Sequence, residues 1–484
     1  MKLNRRGYIA VEIILASIVS ITIAVFLIDI TIRLVNRTDN NYIDTIFVSD
    51  KALLTKNIKE EIENDISNKG VIDSIICSNS NCNIIFNDRS SKELSIDIES
   101  NKVTYGSYTK EVDKRLGGEV KVNSSISNDK KYIIINITFT NIFDDSDYSV
   151  IVPISNKKYP PTLAKYITNL YTNAPKTKAQ NNGIEYNYAS SESLMNDRLG
   201  GTTTDLDGGN IRYYGASPNN YIYFNCSDYS NQSDTTCEKW RIIGVFNNQV
   251  KIMRNEQIGE YSWNTNTNEW PEAKLMKLLN PGYDSETSGG SLYYNSKSGT
   301  CYNGQSNATT SCNFTSSGIK NDETRNKIAE VTWNLGGWNS SSIYSNQIYG
   351  YERGTKVYSG RSTTWPGKVA LPYPSEYGYA TDFNKCTQNL YNYKSSTNSY
   401  GCKNNDWMYL IITNSSSNNR WLLTPHSGYA YYAWHAGSSG YVSSYSDHFV
   451  CDALGVAPVL YLSSNESIVE GTTGTESNPF KLNP

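Results

Sequence analysis

The sequence predicts an α+β protein with a long N-terminal helix packed on an antiparallel sheet, then a linker, then a β-rich C-terminal domain. Three observations lead to this fold class: an apolar run near the start of the chain, alternating apolar and polar residues up to about residue 156, and a long remainder rich in Tyr, Gly, Asn and Ser. The expected divisions are a leader at 1–7, a first domain at 8–156, the linker at 157–183 and a second domain at 184–484.

The apolar run covers residues 8–28 and contains a single charge, Glu12. It follows a short basic segment that ends at Gly7. As a helix it would be about 30 Å long, which is the thickness of a bilayer core. A carboxylate inside such a segment costs roughly 2–3 kcal/mol on insertion scales, so Glu12 requires a functional explanation.

Gly7, Tyr8 and Glu12 stand at the positions that characterise the class III signal of type IV prepilins, and the N-terminus resembles that family. In prepilins a peptidase cuts after the glycine, the new first residue is N-methylated, and the glutamate at mature position five pairs with the α-amino group of a neighbouring subunit. The resemblance implies cleavage before Tyr8 and an assembly role for Glu12. Tyr8 departs from the family's usual phenylalanine. The alternative is an ordinary signal anchor with a glutamate placed by chance.

The first domain is expected to continue the helix to residue 66 and to end it before Gly70, because apolar residues keep a helical spacing up to that point. Alternating patterns then predict strands at 71–76, 83–86, 94–98, 102–105, 119–122, 132–139 and 148–154. A long helix on an antiparallel sheet is the arrangement of pilins and pseudopilins, so the resemblance implies a pilin helix here. Pro160, Pro161 and a polar stretch predict the linker, with a short helix at 162–171.

The C-terminal domain carries a series of short motifs, in the order RYYGASPNN at 212–220, WRIIGVF at 240–246, AKLMKLLN at 273–280, VALPYPSEYGYAT at 369–381, WLLTP at 421–425, GVAPVLYL at 455–462 and NPFKL at 478–482. The series resembles a domain of exported proteins from Firmicutes-like bacteria, and its order is similar to that of C-type-lectin-like and formylglycine-generating-enzyme-like folds. The resemblance covers about 210–482. Ala457 departs from it, since family members often have arginine there. The cysteine pair of the formylglycine-generating enzymes has no counterpart, so that activity is not expected.

The nine cysteines fall into four close pairs with one left over, which indicates local disulfides outside a reducing compartment. The pairs are Cys77 and Cys82, Cys226 and Cys237, Cys301 and Cys312, and Cys386 and Cys402. Many connectivities are open to eight cysteines, so this pairing rests on proximity alone. Zinc is the alternative, although the C-x2-C spacing that zinc sites favour is absent. Cys451 is expected to be free and buried.

The charge balance and the motifs exclude several classes of function. The formal net charge is -3, with 44 basic and 47 acidic residues, which gives no basic stripe for nucleic acid. His426, His435 and His448 lie close in sequence but match no metal-ligand spacing, and the sequence lacks a phosphate loop, G-x-S-x-G and H-E-x-x-H. No metal, cofactor or catalytic residue is therefore expected, and the chain is not expected to be an enzyme.

Residues 427–452 are the strongest candidate for a binding surface, because aromatic residues alternate with Gly and Ser there, between two strand motifs. Aromatic side chains stack on sugar rings and act as anchors in protein interfaces. Lectin-like folds often bind ligand in this late region, so the resemblance favours it too. The expected ligand-binding residues, taken to be exposed, are Tyr431, Tyr432, Trp434, His435 and Tyr441. The alternative is a twisted hairpin whose aromatic residues fill the core.

These observations together predict a minor pilin or pilin-like surface protein that presents a C-terminal adhesin module on a type IV-like filament. Its expected partners are prepilin peptidase, other pilin subunits, the membrane through the N-terminal helix, and a glycan or protein on another cell. The expected location is the inner or cytoplasmic membrane as a precursor, then the cell surface or an extracellular filament. Two alternatives stay open: an exported enzyme on an uncleaved membrane anchor, and a pseudopilin of a secretion or DNA-uptake system.

Overall fold

The structure, which is a computed structural model, is β-rich, with 33% strand and 23% helix. The structure describes residues 5–157, 160–199, 207–304, 310–394, 401–413, 419–444 and 448–484, with the side chains of all of these except 5–16, 32–45, 394 and 413. The chain divides into two compact units, Met1–Tyr159 and Pro160–Pro484.

The first unit begins with helix α1 (Arg5–Lys69) and continues with eight strands. The strands are β1 (Ile72–Ser78), β2 (Asn81–Phe86), β3 (Ser91–Asp97), β4 (Lys102–Tyr105), β5 (Tyr108–Glu111), β6 (Val120–Ile126), β7 (Tyr132–Thr140) and β8 (Asp147–Ser155), with a 3-10 helix at Lys114–Leu116. They form two sheets, with the strand orders β1-β2-β3-β4-β5 and β6-β7-β8. Neighbours in each sheet are consecutive and antiparallel, because short turns join strands that follow one another along the chain.

The C-terminal half of α1 contributes to the core of the first unit. It buries a row of apolar side chains at intervals of four residues: Leu54, Ile58, Ile62 and Ile66. This interval places them on one face of a helix. The helix ends at Lys69. Gly70 follows it with a φ of 95° and donates its amide to the carbonyl oxygen of Ile66 at 3.0 Å.

The earlier part of α1 exposes its apolar side chains. Those between residues 18 and 30 are all exposed: Ile18, Val19, Ile21, Ile23, Val25, Phe26, Leu27, Ile28 and Ile30. Within the residues whose side chains are described, no helix combines the length and the apolar character needed to cross a membrane.

The second unit contains six helices and eighteen strands among its described residues. The helices are α2 (Leu163–Asn173), α3 (Lys274–Leu279), α4 (Asp322–Asn326), α5 (Ser345–Glu352), α6 (Pro374–Tyr379) and α7 (Trp407–Thr413), with 3-10 helices at Ser190–Glu192, Trp270–Glu272, Leu390–Lys394 and Lys403–Asn405. The strands are β9 (Thr177–Asn181), β10 (Ile184–Ala189), β11 (Leu194–Asn196), β12 (Ile211–Tyr213), β13 (Tyr221–Phe224), β14 (Glu238–Phe246), β15 (Gln249–Arg254), β16 (Glu260–Ser262), β17 (Ser298–Cys301), β18 (Thr310–Asn313), β19 (Val331–Asn334), β20 (Thr364–Gly367), β21 (Val369–Ala370), β22 (Asn419–Pro425), β23 (Ala433–Gly437), β24 (Val442–Ser443), β25 (Ala453–Gly455) and β26 (Val459–Tyr461).

A nine-stranded sheet organises the second unit, with the order β21-β26-β15-β14-β12-β11-β10-β9 and with β13 also paired to β14. A five-stranded sheet has the order β16-β25-β22-β23-β24, and β17-β18 and β19-β20 are two-stranded. Large aromatic side chains fill the core of this unit. Its fully buried tryptophans include Trp240, Trp263, Trp270, Trp333, Trp407, Trp421 and Trp434.

The predicted fold class is wrong. The described chain is β-rich, with its strands in six sheets and with four helices of seven or more residues. The strands of the first unit form two sheets, so the pilin arrangement of a long helix on one antiparallel sheet is not found, and the strands of the second unit form four sheets. The segment predicted as a linker contains α2 and β9, and β9 ends the nine-stranded sheet. Alternating apolar and polar residues indicate that a segment is a strand, but they do not indicate which strands pair.

The four predicted cysteine pairs are confirmed as disulfides. They are Cys77–Cys82, Cys226–Cys237, Cys301–Cys312 and Cys386–Cys402. Cys451 is free as predicted, but it is partly exposed rather than buried. Disulfides persist in oxidising compartments, so these four fit an extracellular or secreted protein.

Candidate binding surface

The five residues predicted to form an exposed patch are divided between surface and core. Tyr431 is 40% exposed, whereas Tyr432 and Tyr441 are partly buried. Trp434 and His435 are 0% and 1% exposed. The expectation of exposure is therefore corrected for Trp434 and His435, which belong to the core.

Trp434 and His435 are buried because they lie on β23, which pairs with β22 on one side and β24 on the other. All five residues of β23 are buried, so both faces of this strand are covered. The Trp434 indole donates to the carbonyl oxygen of Trp338 at 3.3 Å. The His435 ring meets Trp421 edge-on, with 6.4 Å between ring centroids.

Four aromatic rings form a continuous cluster at the surface, here called the aromatic patch: Tyr429, Tyr431, Tyr432 and Phe449. Tyr429 and Phe449 are each 45% exposed. The rings of Tyr431 and Tyr432 lie 4.7 Å apart between centroids, and Phe449 stacks on Tyr432 at 5.2 Å with 23° between the ring planes. Tyr431 also contacts Tyr429 at 5.8 Å and Phe449 at 5.7 Å. The four side chains therefore present one apolar surface.

A buried amide holds the loop that carries three of these rings. The side-chain nitrogen of Asn268 donates to the carbonyl oxygens of His426, Tyr429 and Tyr432, at 2.9, 3.0 and 2.8 Å. Its two hydrogens are shared among these three acceptors. The backbone amide of Asn268 donates to the carbonyl oxygen of Ala430 at 2.6 Å. Asn268 is only 1% exposed, so the amide itself is shielded from water.

His426 holds the same loop through its ring. Its Nδ1 accepts hydrogen bonds from the backbone amides of Gly428 at 2.9 Å and Tyr429 at 3.1 Å. A ring nitrogen accepts only when it carries no proton, so this arrangement requires a neutral imidazole. Burial lowers the pKa of His426 to about 4, which agrees with that requirement. The loop therefore keeps its support across the pH range in which surface histidines change charge.

Phe449 reaches the patch from a separate segment, which is tied to the loop through the backbone. The amide of Val450 donates to the carbonyl oxygen of Tyr431 at 3.0 Å. The amide of Phe449 donates to the Asp452 carboxylate at 2.8 Å. A fixed aromatic surface of this kind can stack on the apolar face of a sugar or on apolar side chains of a protein.

Of the remaining histidines, His435 lies on β23 and His448 contacts it. The rings of His435 and His448 meet edge-on at 5.0 Å. The Nε2 of His448 lies 2.6 Å from the Asn419 amide, and its Nδ1 lies 3.5 Å from the Asp452 carboxylate. Burial lowers the pKa of His435 to about 3, so this ring is neutral near pH 7. In the described ranges, no group of three or more His, Cys, Asp or Glu side chains is arranged to hold a metal ion.

The residues predicted to direct processing and assembly lie in α1. Gly7, Tyr8 and Glu12 belong to this helix, but their side chains lie outside the described residues. Cleavage before Tyr8 and pairing through Glu12 therefore stay predictions.

Four residues of the site are not among the binding residues predicted from the sequence: Tyr429, Phe449, Asn268 and His426. Phe449 offered a signal, since it is an aromatic residue in the same Gly- and Ser-rich segment. Asn268 offered none, because it lies 158 positions before His426 and in an unrelated stretch of the chain. His426 is one of three neighbouring histidines, and nothing in the local sequence shows that its ring accepts backbone hydrogen bonds.

Comparison with known proteins gives no match: no family model, no curated protein and no solved structure is similar to this chain. Its function is therefore inferred from its own residues and their geometry.

Proposed function

We propose that this chain is a minor pilin or pilin-like surface protein that binds a glycan or protein on another cell through the aromatic patch. The proposal depends above all on four touching rings, of which Tyr429, Tyr431 and Phe449 are exposed. Three of the four rings lie on the loop held by Asn268 and His426. Large aromatic side chains are mostly buried in folded proteins, and a contiguous exposed group of them marks an interaction surface.

The support beneath the patch favours binding because little conformational freedom is lost when a ligand docks on a fixed surface. Tyrosine adds large contact area with only two side-chain torsions to fix. Tyrosine also has a hydroxyl group, which can hydrogen-bond to the polar groups of a sugar or a peptide. The combination suits reversible recognition of another surface better than it suits chemistry on a small substrate.

Display outside the cytosol agrees with the four disulfides. Filament assembly is proposed from the leader sequence, with Gly7 and Tyr8 at the cleavage site and Glu12 as the assembly residue. The exposed apolar side chains of α1 between residues 18 and 30 would be covered by the bilayer in the precursor and by neighbouring subunits in the filament. A unit as large as Pro160–Pro484 hinders close packing along a shaft, so we place this subunit at a tip or in low copy number.

A tethered enzyme receives less support from the same geometry. His426 and His435 are buried, and the Nδ1 of His426 is already occupied by two backbone amides. His448 pairs with Asp452, which could orient an imidazole, but its Nε2 faces the Asn419 amide rather than a nucleophile. A pseudopilin of a DNA-uptake system would need a basic surface, and the net charge of -3 disfavours one.

Adhesion by ring-deletion variants tests the proposal. Tyr431→Ser and Phe449→Ser, alone and together, remove ring surface and leave the backbone hydrogen bonds of the loop in place. We expect each to weaken binding to the target cell by about 1–2 kcal/mol, with an unfolding free energy close to that of the unmodified chain. Phe143→Ser is the matched control, since this ring in the first unit is 73% exposed and lies outside the patch. Full adhesion by the folded double variant would contradict the proposal.

A further inference from the structure

A cleft of about 470 Å³ lies in the second unit, between α2, residues 207–211 and the turn that joins β14 to β15. Its volume falls within the usual range of small-molecule sites, about 300–1,000 Å³. Among the described residues, it shares no lining residue with the aromatic patch. The cleft is therefore a candidate for a second, separate binding site.

One wall of the cleft is built on two buried side chains. The Oδ1 of Asn196 accepts from the backbone amides of Arg198 and Gly209, each at 2.9 Å. The Oδ1 of Asp197 accepts from the amide of Asn210 at 2.8 Å. A side chain on Gly209 would meet the backbone nitrogen of Arg198 at 2.3 Å, so only glycine fits there. These contacts fix the wall before any ligand arrives.

The opposite rim of the cleft carries the side-chain amides of two asparagine residues. Asn247 and Asn248 form the two-residue turn between β14 and β15, with φ angles of 49° and 60°, a conformation that asparagine tolerates. Both side chains are exposed, and neither has a hydrogen-bond partner in the described part of the chain. They are therefore available to donate to and accept from a molecule in the cleft.

The charges around the cleft disfavour an anionic ligand. Lys176 lies in the lining, but its ammonium donates to the carbonyl oxygens of Thr172 and Ala174, at 3.2 and 2.7 Å. These carbonyls are at the C-terminal end of α2, which carries partial negative charge. Asp207 adds a carboxylate, which accepts from the Tyr171 hydroxyl. A phosphate or an acidic sugar would meet this negative potential without a free cation from the described lining.

We infer that the cleft binds a neutral carbohydrate, with Asn247 and Asn248 as its hydrogen-bonding residues. Amides and a carboxylate are suitable partners for sugar hydroxyls, which both donate and accept. Ile211 and Val245 also line the cleft and offer apolar surface to the CH face of a sugar ring. This site goes beyond the function proposed above, because it requires neither the aromatic patch nor filament assembly.

The test is binding of the purified full-length chain to an array of neutral, sialylated and sulfated glycans, followed by titration with the neutral glycan that binds best. Asn247→Gly combined with Asn248→Gly removes both amides and keeps the turn, because glycine adopts positive φ without strain. We expect neutral glycans to bind, and the double variant to bind about tenfold more weakly or worse with an unchanged melting temperature. Asn182→Gly is the matched control, since Asn182 is an exposed asparagine at φ 49° in the turn between β9 and β10.

Three results overturn the inference. The first is the absence of binding to any neutral glycan, and the second is a preference for sialylated or sulfated glycans. The third is glycan binding that survives Asn247→Gly with Asn248→Gly but is lost in Tyr431→Ser with Phe449→Ser. That third result assigns glycan binding to the aromatic patch. It therefore supports the proposed function and rejects the cleft as the glycan-binding site.

Discussion

The side-chain amide of Asn268 donates a hydrogen bond to the carbonyl oxygen of His426 at 2.9 Å, across 158 positions of the chain. The same nitrogen reaches the carbonyl oxygens of Tyr429 and Tyr432. One buried side chain thus holds the backbone of the loop that carries three rings of the aromatic patch.

Asn268→Ala is expected to destabilise the protein by about 1–3 kcal/mol, because buried carbonyl oxygens lose their donor. Denaturant unfolding of the full chain measures the loss, and hydrogen exchange should show faster exchange of the amides at 427–432. Asn266→Ala, at an exposed position two residues away, is the control and should change stability little. An unaltered exchange pattern in Asn268→Ala would mean that the loop does not depend on this amide.

His426 should make the protein less stable in acid. Its pKa is about 4 in the folded state, against about 6.5 in an unfolded chain. Between these values the unfolded chain binds a proton that the folded chain does not, so stability falls as the pH decreases from 6.5 to 4, by about 3 kcal/mol at most. His426→Asn keeps an acceptor and removes the titration, so its unfolding free energy should fall less between pH 7 and 4.5. Identical pH slopes would show that the folded state tolerates a charged ring.

The buried ion pair of Lys251 and Glu376 supplies a double-mutant test. The Lys251 ammonium is fully buried over the rings of Trp333 at 4.8 Å and Tyr373 at 4.5 Å, and burial lowers its pKa to about 8. Lys251→Met should destabilise by about 3–5 kcal/mol, because it removes the ion-pair partner of a buried carboxylate. Adding Glu376→Gln should restore most of the loss, since an oxygen remains to accept the Tyr373 amide. A double variant as unstable as Lys251→Met in denaturant melts would refute this explanation.

Processing is expected between Gly7 and Tyr8. Mass spectrometry of the N-terminal peptide from membrane or filament fractions should find Tyr8 as the first residue, with one added methyl group. Gly7→Leu should block the cut, whereas Glu12→Ala should leave the cut intact and impair assembly. An intact Met1, or a cut after residue 28, would remove the prepilin interpretation.

Cys451 should be the single cysteine that reacts with an alkylating reagent in the unreduced protein. The other eight cysteines are in disulfides, and Cys451 is partly exposed. Peptide mass mapping after alkylation identifies the modified position. Labelling at eight or nine positions would place the native protein in a reducing compartment.

The strands of the first unit could be predicted from the sequence, but their pairing could not. β4 has the predicted bounds, and β7 differs from its prediction by one residue, because apolar alternation extends over both strands. β5 was not predicted, since its residues YTKE lack that alternation and none of them is buried. The separation into two sheets depends on turns and distant contacts that a local pattern does not contain.

The candidate site and the disulfides could likewise be predicted from the sequence only in part. The cysteine pairs could be predicted because both partners lie within a short stretch of chain. The burial of His435 could not, because a histidine among Gly and Ser residues has the local pattern of a loop. Its burial comes from pairing with β22 and β24 and from contact with Trp421. Position within a sheet, rather than residue type, decided which aromatic residues reached the surface.

Every hydrogen bond by which the Asn268 side chain and the His426 ring hold the patch loop ends on a main-chain atom. None of these hydrogen bonds therefore requires a particular side chain at 429, 431 or 432. Selection can exchange these side chains one at a time, and each exchange presents a new surface on an unchanged support. Orthologues adapted to different partners should keep the asparagine and the histidine while the three ring positions diverge. For the same reason, protein engineers could change the binding specificity at these three neighbouring positions without redesigning the fold.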